Sequence, residues 1–220
     1  MAAKKIVVFG AGGRGGRRVV AEALSRGHAV TAVVRVPGRY PDLGGNGVTV
    51  VAGDVTDADS VASVAVGHDA AINSVYRADV DAEEFYANGA RALVAGLGEA
   101  GVRRLVVVGI GSILETSPGV RFIDAPDFPA DWRPFNLARV AELEVFRASG
   151  SDLDWVVVAA PPTPLDDAAP RTGAYRVAAN SRMLPYDPDG PLFTFADLAV
   201  AVVDEAESPV HHRDFIGVGR

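Results

Sequence analysis

The decapeptide Phe9-Gly10-Ala11-Gly12-Gly13-Arg14-Gly15-Gly16-Arg17-Arg18 sets five glycines and three arginines directly after the apolar run Ile6-Val7-Val8. A strand that breaks into a glycine turn and then into a helix can hold a diphosphate on bare backbone N–H groups and the positive end of the helix dipole. Two registers are open: Gly10, Gly12 and Gly15 spell G-x-G-x-x-G, while Gly10, Gly13 and Gly16 spell G-x-x-G-x-x-G. Helical geometry separates them, because the third glycine packs against the strand and must share a face with the helix's apolar residues. Steps of three, four, seven and eight from Gly16 reach Val19, Val20, Ala23 and Leu24, all apolar. The same steps from Gly15 reach Arg18, Val19, Glu22 and Ala23, half of them charged. The register Gly10/Gly13/Gly16 is the better one.

Outward from this loop, apolar runs at 6–9, 29–34, 48–52, 70–75, 105–108 and 155–159 alternate with helical patterns at 16–26, 57–66, 83–100 and 135–149. Runs that are apolar throughout suit parallel strands buried on both faces, and the alternation predicts an α/β fold, a doubly wound, mainly parallel sheet. Pro161-Pro162-Thr163-Pro164 then breaks the rhythm. A last helix is expected from Thr194, with Thr194 and Asp197 supporting its first turn, and a final strand at 214–218. The expectation is one domain over 1–220, with 161–193 as an irregular substrate-side insertion.

Composition narrows the classes. The formal charge of −7 disfavours a nucleic-acid partner, since that contact needs a basic surface. No apolar run approaches the ~20 residues of a membrane span, and the N-terminal residues lack the apolar segment of a secretory signal. The absence of cysteine removes disulfides and thiolate chemistry. These features lead us to expect a cytoplasmic protein, monomer or homodimer, with a small-molecule substrate and no metal.

The second strand ends in Arg35, where an NAD site usually carries a carboxylate for the ribose 2′-hydroxyl about 20 residues past the glycines. A guanidinium suits a 2′-phosphate instead, so NADP is favoured, with Arg14 in the loop and Arg39 nearby. Asp54 and Val55 close the third strand, and Asp54 either accepts from an adenine amino group or caps the helix near Asp57. Asn73, Ser74 and Val75 end the fourth strand, where cofactor ribose is expected.

Phe9 to Gly16, Arg35 and Gly53-Asp54-Val55-Thr56-Asp57 together resemble the atypical short-chain dehydrogenase/reductases. Within these the chain is similar to NAD(P)H-binding proteins provisionally named NADH–flavin reductases, relatives of the biliverdin reductase B and NmrA-like groups. The likeness continues through the 108–114 stretch Val-Gly-Ile-Gly-Ser-Ile-Leu, the 128–134 stretch Phe-Pro-Ala-Asp-Trp-Arg-Pro, Leu153-Asp154-Trp155 and the 171–176 stretch Arg-Thr-Gly-Ala-Tyr-Arg to the C-terminal Phe215-Ile216-Gly217-Val218-Gly219. It implies a Rossmann fold, NAD(P)H binding, and a pocket over the nicotinamide made by the 109–114 loop (Gly109, Ile110 and Gly111 touching cofactor) and by Pro161 with the segment after it.

Conventional members of that superfamily use a tyrosine and a lysine four residues later, the lysine lowering the tyrosine's pKa. Alignment of the fourth helix puts Phe135 and Arg139 at those positions, and phenylalanine has no proton to give. Hydride transfer to a flat conjugated acceptor such as a flavin or quinone depends mostly on positioning, with the proton drawn from solvent. Ser112 is the hydroxyl expected near the nicotinamide, or else a turn cap. Asn136 orients a substrate oxygen or faces solvent. Tyr76, Tyr86, Tyr175 and Tyr186 read as packing or rim, and Glu83, Glu84, Glu142 and Glu144 as solvated helix faces. His28 and His68 read as structural, and His211 and His212 as lacking a carboxylate partner. The expected function is an NADPH-preferring reductase; the alternatives are an NADP(H)-sensing regulator without turnover, or an epimerase, isomerase or dehydratase using the cofactor transiently.

Overall fold

The computed structural model describes residues 2–77, 80–185, 187 and 189–220. Its elements run β1 Lys5–Phe9, α1 Arg14–Ser25, β2 Ala29–Val34, β3 Val48–Ala52, α2 Ala58–Ala65, β4 Ala70–Asn73, α3 Ala82–Glu99, β5 Arg104–Ile110, β6 Glu115–Ser117, β7 Val120–Arg121, α4 Arg133–Ala148, β8 Asp154–Ala160, β9 Arg176–Ala178, α5 Phe195–Glu207 and β10 Asp214–Gly219. The order of strands and helices follows the sequence pattern. The short β6–β7 hairpin and β9 were not anticipated, because two or three residues are too few to show a period.

Among the described residues eight strands form one sheet in the order β3-β2-β1-β4-β5-β8-β10-β9. Neighbours are parallel from β3 through β10, and β9 runs antiparallel on the outer edge. Thus β9, from the loop-rich segment, joins the main sheet through Gly217 opposite Ala178. Within β1, Ile6 and Val8 point to the layer containing Val19, Val20 and Ala23 of α1 and Leu198, Val202 and Ala206 of α5. Val7 and Phe9 point to the other layer, with Val61, Leu93, Leu97 and Phe146 of α2, α3 and α4. Burial on both faces is why β1 carries no polar alternation.

Side chains of the helices' own sequences close most of the helix starts. Asp57 accepts from Asp59 and Ser60 N–H at the head of α2, Asp81 from Glu84 N–H at α3, and Thr194 from Asp197 N–H at α5. By contrast, α1 opens on Gly13 with no side-chain cap. The strand order reverses direction between β1 and β4, so the carboxyl ends of those two strands flank a crevice, the usual ligand position of such sheets.

Candidate functional site

Three of the five glycines in the opening loop are demanded by close approach. Gly10 has φ +73°, and a Cβ on it would lie 2.8 Å from the Ser74 and Val75 backbone. A Cβ on Gly16 would overlap the Gly10 carbonyl oxygen, and Gly16 is buried against the strand together with Val19, Val20 and Ala23. A Cβ on Gly12 would overlap the ring of Tyr40. Gly13 differs: a Cβ there meets only the Gly10 oxygen, at 3.4 Å, and the residue is exposed at the head of α1. The packing glycine is therefore Gly16, as the helical face implies, and Gly13 leaves bare backbone facing outward. That uncapped helix start, with no acid in the first turn, fits an anionic diphosphate.

A cavity of about 490 Å³ opens over this loop. On the β2–β3 side its wall holds Arg35, Tyr40, Asp54 and Val55; on the β4–β5 side it holds Ser74, Val75, Gly109 and Ile110. Gly10, Gly12, Gly13, Arg14 and Gly15 form the floor. Gly16, Asn73, Gly111 and Pro161 stand behind the wall rather than in it. Asn73 is buried, and its side-chain oxygen accepts from Val75 N–H, turning the chain out of β4 at that point. A Cβ on Gly111 would overlap the Ala160 carbonyl oxygen, so this glycine serves the packing of β5 on the chain leaving β8.

The charged groups of the wall are unequally occupied. Arg35 is exposed and has no hydrogen-bond or ion-pair partner among the described residues. Arg14 lies over the Phe195 ring, 5.3 Å from its centroid. Asp54 Oδ1 accepts from both N–H and Oγ1–H of Thr56, while the cap of α2 is Asp57. Arg39 does not reach the cavity. Tyr40 is, with Phe85, Leu165, Phe195 and Leu198, among the wall residues that sequence reasoning missed; Arg17 stacks on Tyr40 at 5.6 Å and bonds Asp42 and the Gly12 carbonyl. The only sequence signal for Tyr40 was an aromatic ring soon after the second strand.

The far end of the cavity is aromatic. Phe135 lies 5.3 Å from Tyr76 and 5.7 Å from Tyr86, and Phe85 meets Tyr86 edge-on at 5.3 Å. Arg139, four residues beyond Phe135, also lines the cavity but is almost wholly buried. Its Nη2 donates to the Val108 carbonyl at 2.6 Å and pairs with Glu142 at 3.1 Å, and its guanidinium covers Tyr86 at 4.4 Å. Glu142 is thus not on a solvated face. Residues 138, 139, 142, 143 and 146 share the buried stripe of α4, and burial pushes the Glu142 carboxyl up to about 7 against the opposing pull of Arg139.

Ser112 and Asn136 are bonded to each other: the serine hydroxyl donates to the Asn136 side-chain oxygen, while Asn136 Nδ2 donates to the Trp132 carbonyl. Asn136 is buried rather than solvent-facing, and neither residue is part of the cavity wall. Tyr175 donates to Asp204 at 2.5 Å, and burial with that carboxylate raises its pKa. Tyr186 lies outside the described residues. His28 Nδ1 accepts from Lys4 N–H, and His68 Nε2 sits 2.7 Å from Thr31 Oγ1, both structural positions. The expectation for His211 and His212 is corrected: they lie 2.6 Å from Glu205 and 2.8 Å from Asp154, because the turn after α5 brings them to the amino end of β8. No group of three or more His, Asp or Glu among the described residues is arranged to hold a metal ion, and no described helix is long and apolar enough to cross a membrane.

The chain resembles known proteins over nearly its full length. A Burkholderia pseudomallei structure provisionally named an exported protein shares 32% identity, covering 99% of this chain and 100% of that one, with a TM-score of 0.86. A Bacteroides thetaiotaomicron structure provisionally named an epimerase shares 30% (99% and 97% covered, TM-score 0.85). A Streptococcus pneumoniae structure provisionally named an NADH-flavin reductase shares 26% (98% and 99% covered, TM-score 0.82). The family model described as NAD(P)H-binding matches residues 10–209, the span that runs from the glycine loop through α5. This chain belongs to that NAD(P)H-binding family, with a Rossmann-type, oxidoreductase-like α/β fold.

Proposed function

We propose that this protein is an NADPH-preferring reductase of small, flat, conjugated acceptors, acting in the cytoplasm. The observation that carries this reading is Arg35: an exposed guanidinium, without a partner among the described residues, on the cavity wall at the end of β2, where a carboxylate would repel a 2′-phosphate. In this reading Gly13, Arg14 and Gly15 receive the diphosphate, Arg35 the 2′-phosphate, and Ser74 and Val75 the ribose on the other side of the switch point. A bound reduced nicotinamide supplies the hydride. The chain's contribution at the acceptor is positioning: Val75, Tyr76, Phe85 and Phe135 offer apolar and aromatic surface against which a planar ring can lie. Phe135 and the mutually bonded Ser112 and Asn136 leave the proton-donating position of the conventional members without a donor.

The same feature favours a second reading, an NADP(H)-sensing protein without turnover. Calorimetric titration with NADPH and NADH, followed by NADPH oxidation in the presence of flavins and quinones, separates the two. Tighter NADPH binding with steady turnover is the expected result. Tight binding with no turnover across the panel selects the sensor, and no binding of either coenzyme ends both.

A further inference from the structure

We propose that the phenol missing from position 135 is supplied from the facing wall by Tyr76, which donates its proton to the acceptor oxygen as that oxygen gains an electron pair. The inference rests on the reductase reading and narrows its acceptors to conjugated carbonyl compounds of the quinone type.

Three side-chain hydroxyls line the cavity among the described residues: Tyr40, Ser74 and Tyr76. Tyr40 lies over Gly12 on the β2 side, and Ser74 faces Gly15, with Oγ 3.1 Å from a Cβ built there. Tyr76 alone stands at the aromatic end, its ring tilted 56° against Phe135, the residue in the tyrosine position of the family resemblance. The other phenol of that cluster is spent. The Tyr86 hydroxyl accepts from Arg77 N–H at 2.9 Å and donates to the Arg77 carbonyl at 3.3 Å, and burial raises its pKa, so it holds its proton. Those two bonds also fix the backbone next to Tyr76. Ser112 is engaged by Asn136. The Tyr76 hydroxyl, by contrast, has no hydrogen-bond partner among the described residues, and the residue is 68% exposed.

The step balances. The acceptor gains hydride from the reduced coenzyme, which is thereby oxidised. The Tyr76 O–H bond breaks, its proton passes to the acceptor oxygen carrying the new electron pair, and water reprotonates the phenolate, which its exposure permits.

The test is Tyr76→Phe, which keeps the ring packing and removes the hydroxyl alone. With NADP⁺ bound no hydride can be transferred, so calorimetry of 2-methyl-1,4-naphthoquinone on that complex reads the contact without turnover. The variant should bind the quinone about fivefold more weakly, as loss of one neutral hydrogen bond implies. With NADPH its kcat for the same quinone should fall about 100-fold, within the range for loss of a general acid. Coenzyme affinity and melting temperature should not move. Equal quinone affinity and equal kcat in variant and wild type overturn the proposal. Wild-type protein that binds NADPH but forms no quinone complex overturns it too while leaving the coenzyme site standing; failure to bind NADPH removes the reading beneath it.

Discussion

Guanidinium groups stand in opposite conditions at the two ends of the sheet. At the amino end Arg104 is buried, 3.0 Å from Asp154 and 2.7 Å from Glu205, and also donates to the Glu205 and His211 carbonyls. His211 and His212 complete the arrangement on the same two carboxylates. At the carboxyl end Arg35 pairs with no acid among the described residues, and Arg14 lies over an aromatic ring. The whole chain is acidic, so carboxylates were not scarce. The difference teaches that a saturated arginine holds strands and helices together, whereas one left open on a cavity wall is available to an anion from outside.

The largest effect expected from breaking this contrast is at the saturated end. Arg104→Leu removes the guanidinium from the buried Glu205 and the half-buried Asp154, leaving only His211 and His212 on those carboxylates, and should cost about 3–5 kcal/mol of stability, read from denaturant unfolding. NADPH affinity of the folded fraction should stay where it was, since Arg104 opens β5 and the cavity lies beyond its other end. A parallel loss of affinity would mean that the two ends are not independent. Next comes Arg35→Glu. It should weaken NADPH binding by about 1.5–3 kcal/mol, the scale of a charge-assisted bond, and hardly change NADH binding or the melting temperature. An unchanged ratio of NADPH to NADH affinity would show that Arg35 is a solvated strand end and would erase the contrast.

The same contrast explains what was legible in the sequence. Strand runs buried on both faces leave a continuous apolar signature, and Gly16 declares itself through the apolar stripe it shares with Val19, Val20 and Ala23. Local signals of this kind gave the sheet, the glycine loop and the strand ends that face the cavity. Partnerships set by tertiary contact did not show. Ser112 meets Asn136 across 24 residues, His212 meets Asp154 across 58, and Tyr76, in the chain leaving β4, meets Phe135 in the first turn of α4. Glu142 is an intermediate case. Its burial was readable, since it falls on the stripe with Ala138, Leu143 and Phe146 and three residues after Arg139. Charge on both residues concealed a face that periodicity alone would have placed inward.

The smallest expected effect sharpens the contrast within the site itself. If polar groups that satisfy one another hold structure, then the Ser112–Asn136 pair belongs with Arg104 in kind although it stands near the cavity. Ser112→Ala leaves the Asn136 oxygen without its donor while Nδ2 keeps the Trp132 carbonyl, so the cost should be about 1 kcal/mol, seen as a small drop in melting temperature. Coenzyme affinity and kcat should remain within about twofold, far from the 100-fold or greater loss that removing a group acting on the substrate brings. A loss of that size would mean that the serine leaves Asn136 when ligand arrives. Mutual pairing in the empty cavity would then no longer mark a residue as structural, and Arg35 would be judged by binding measurements alone.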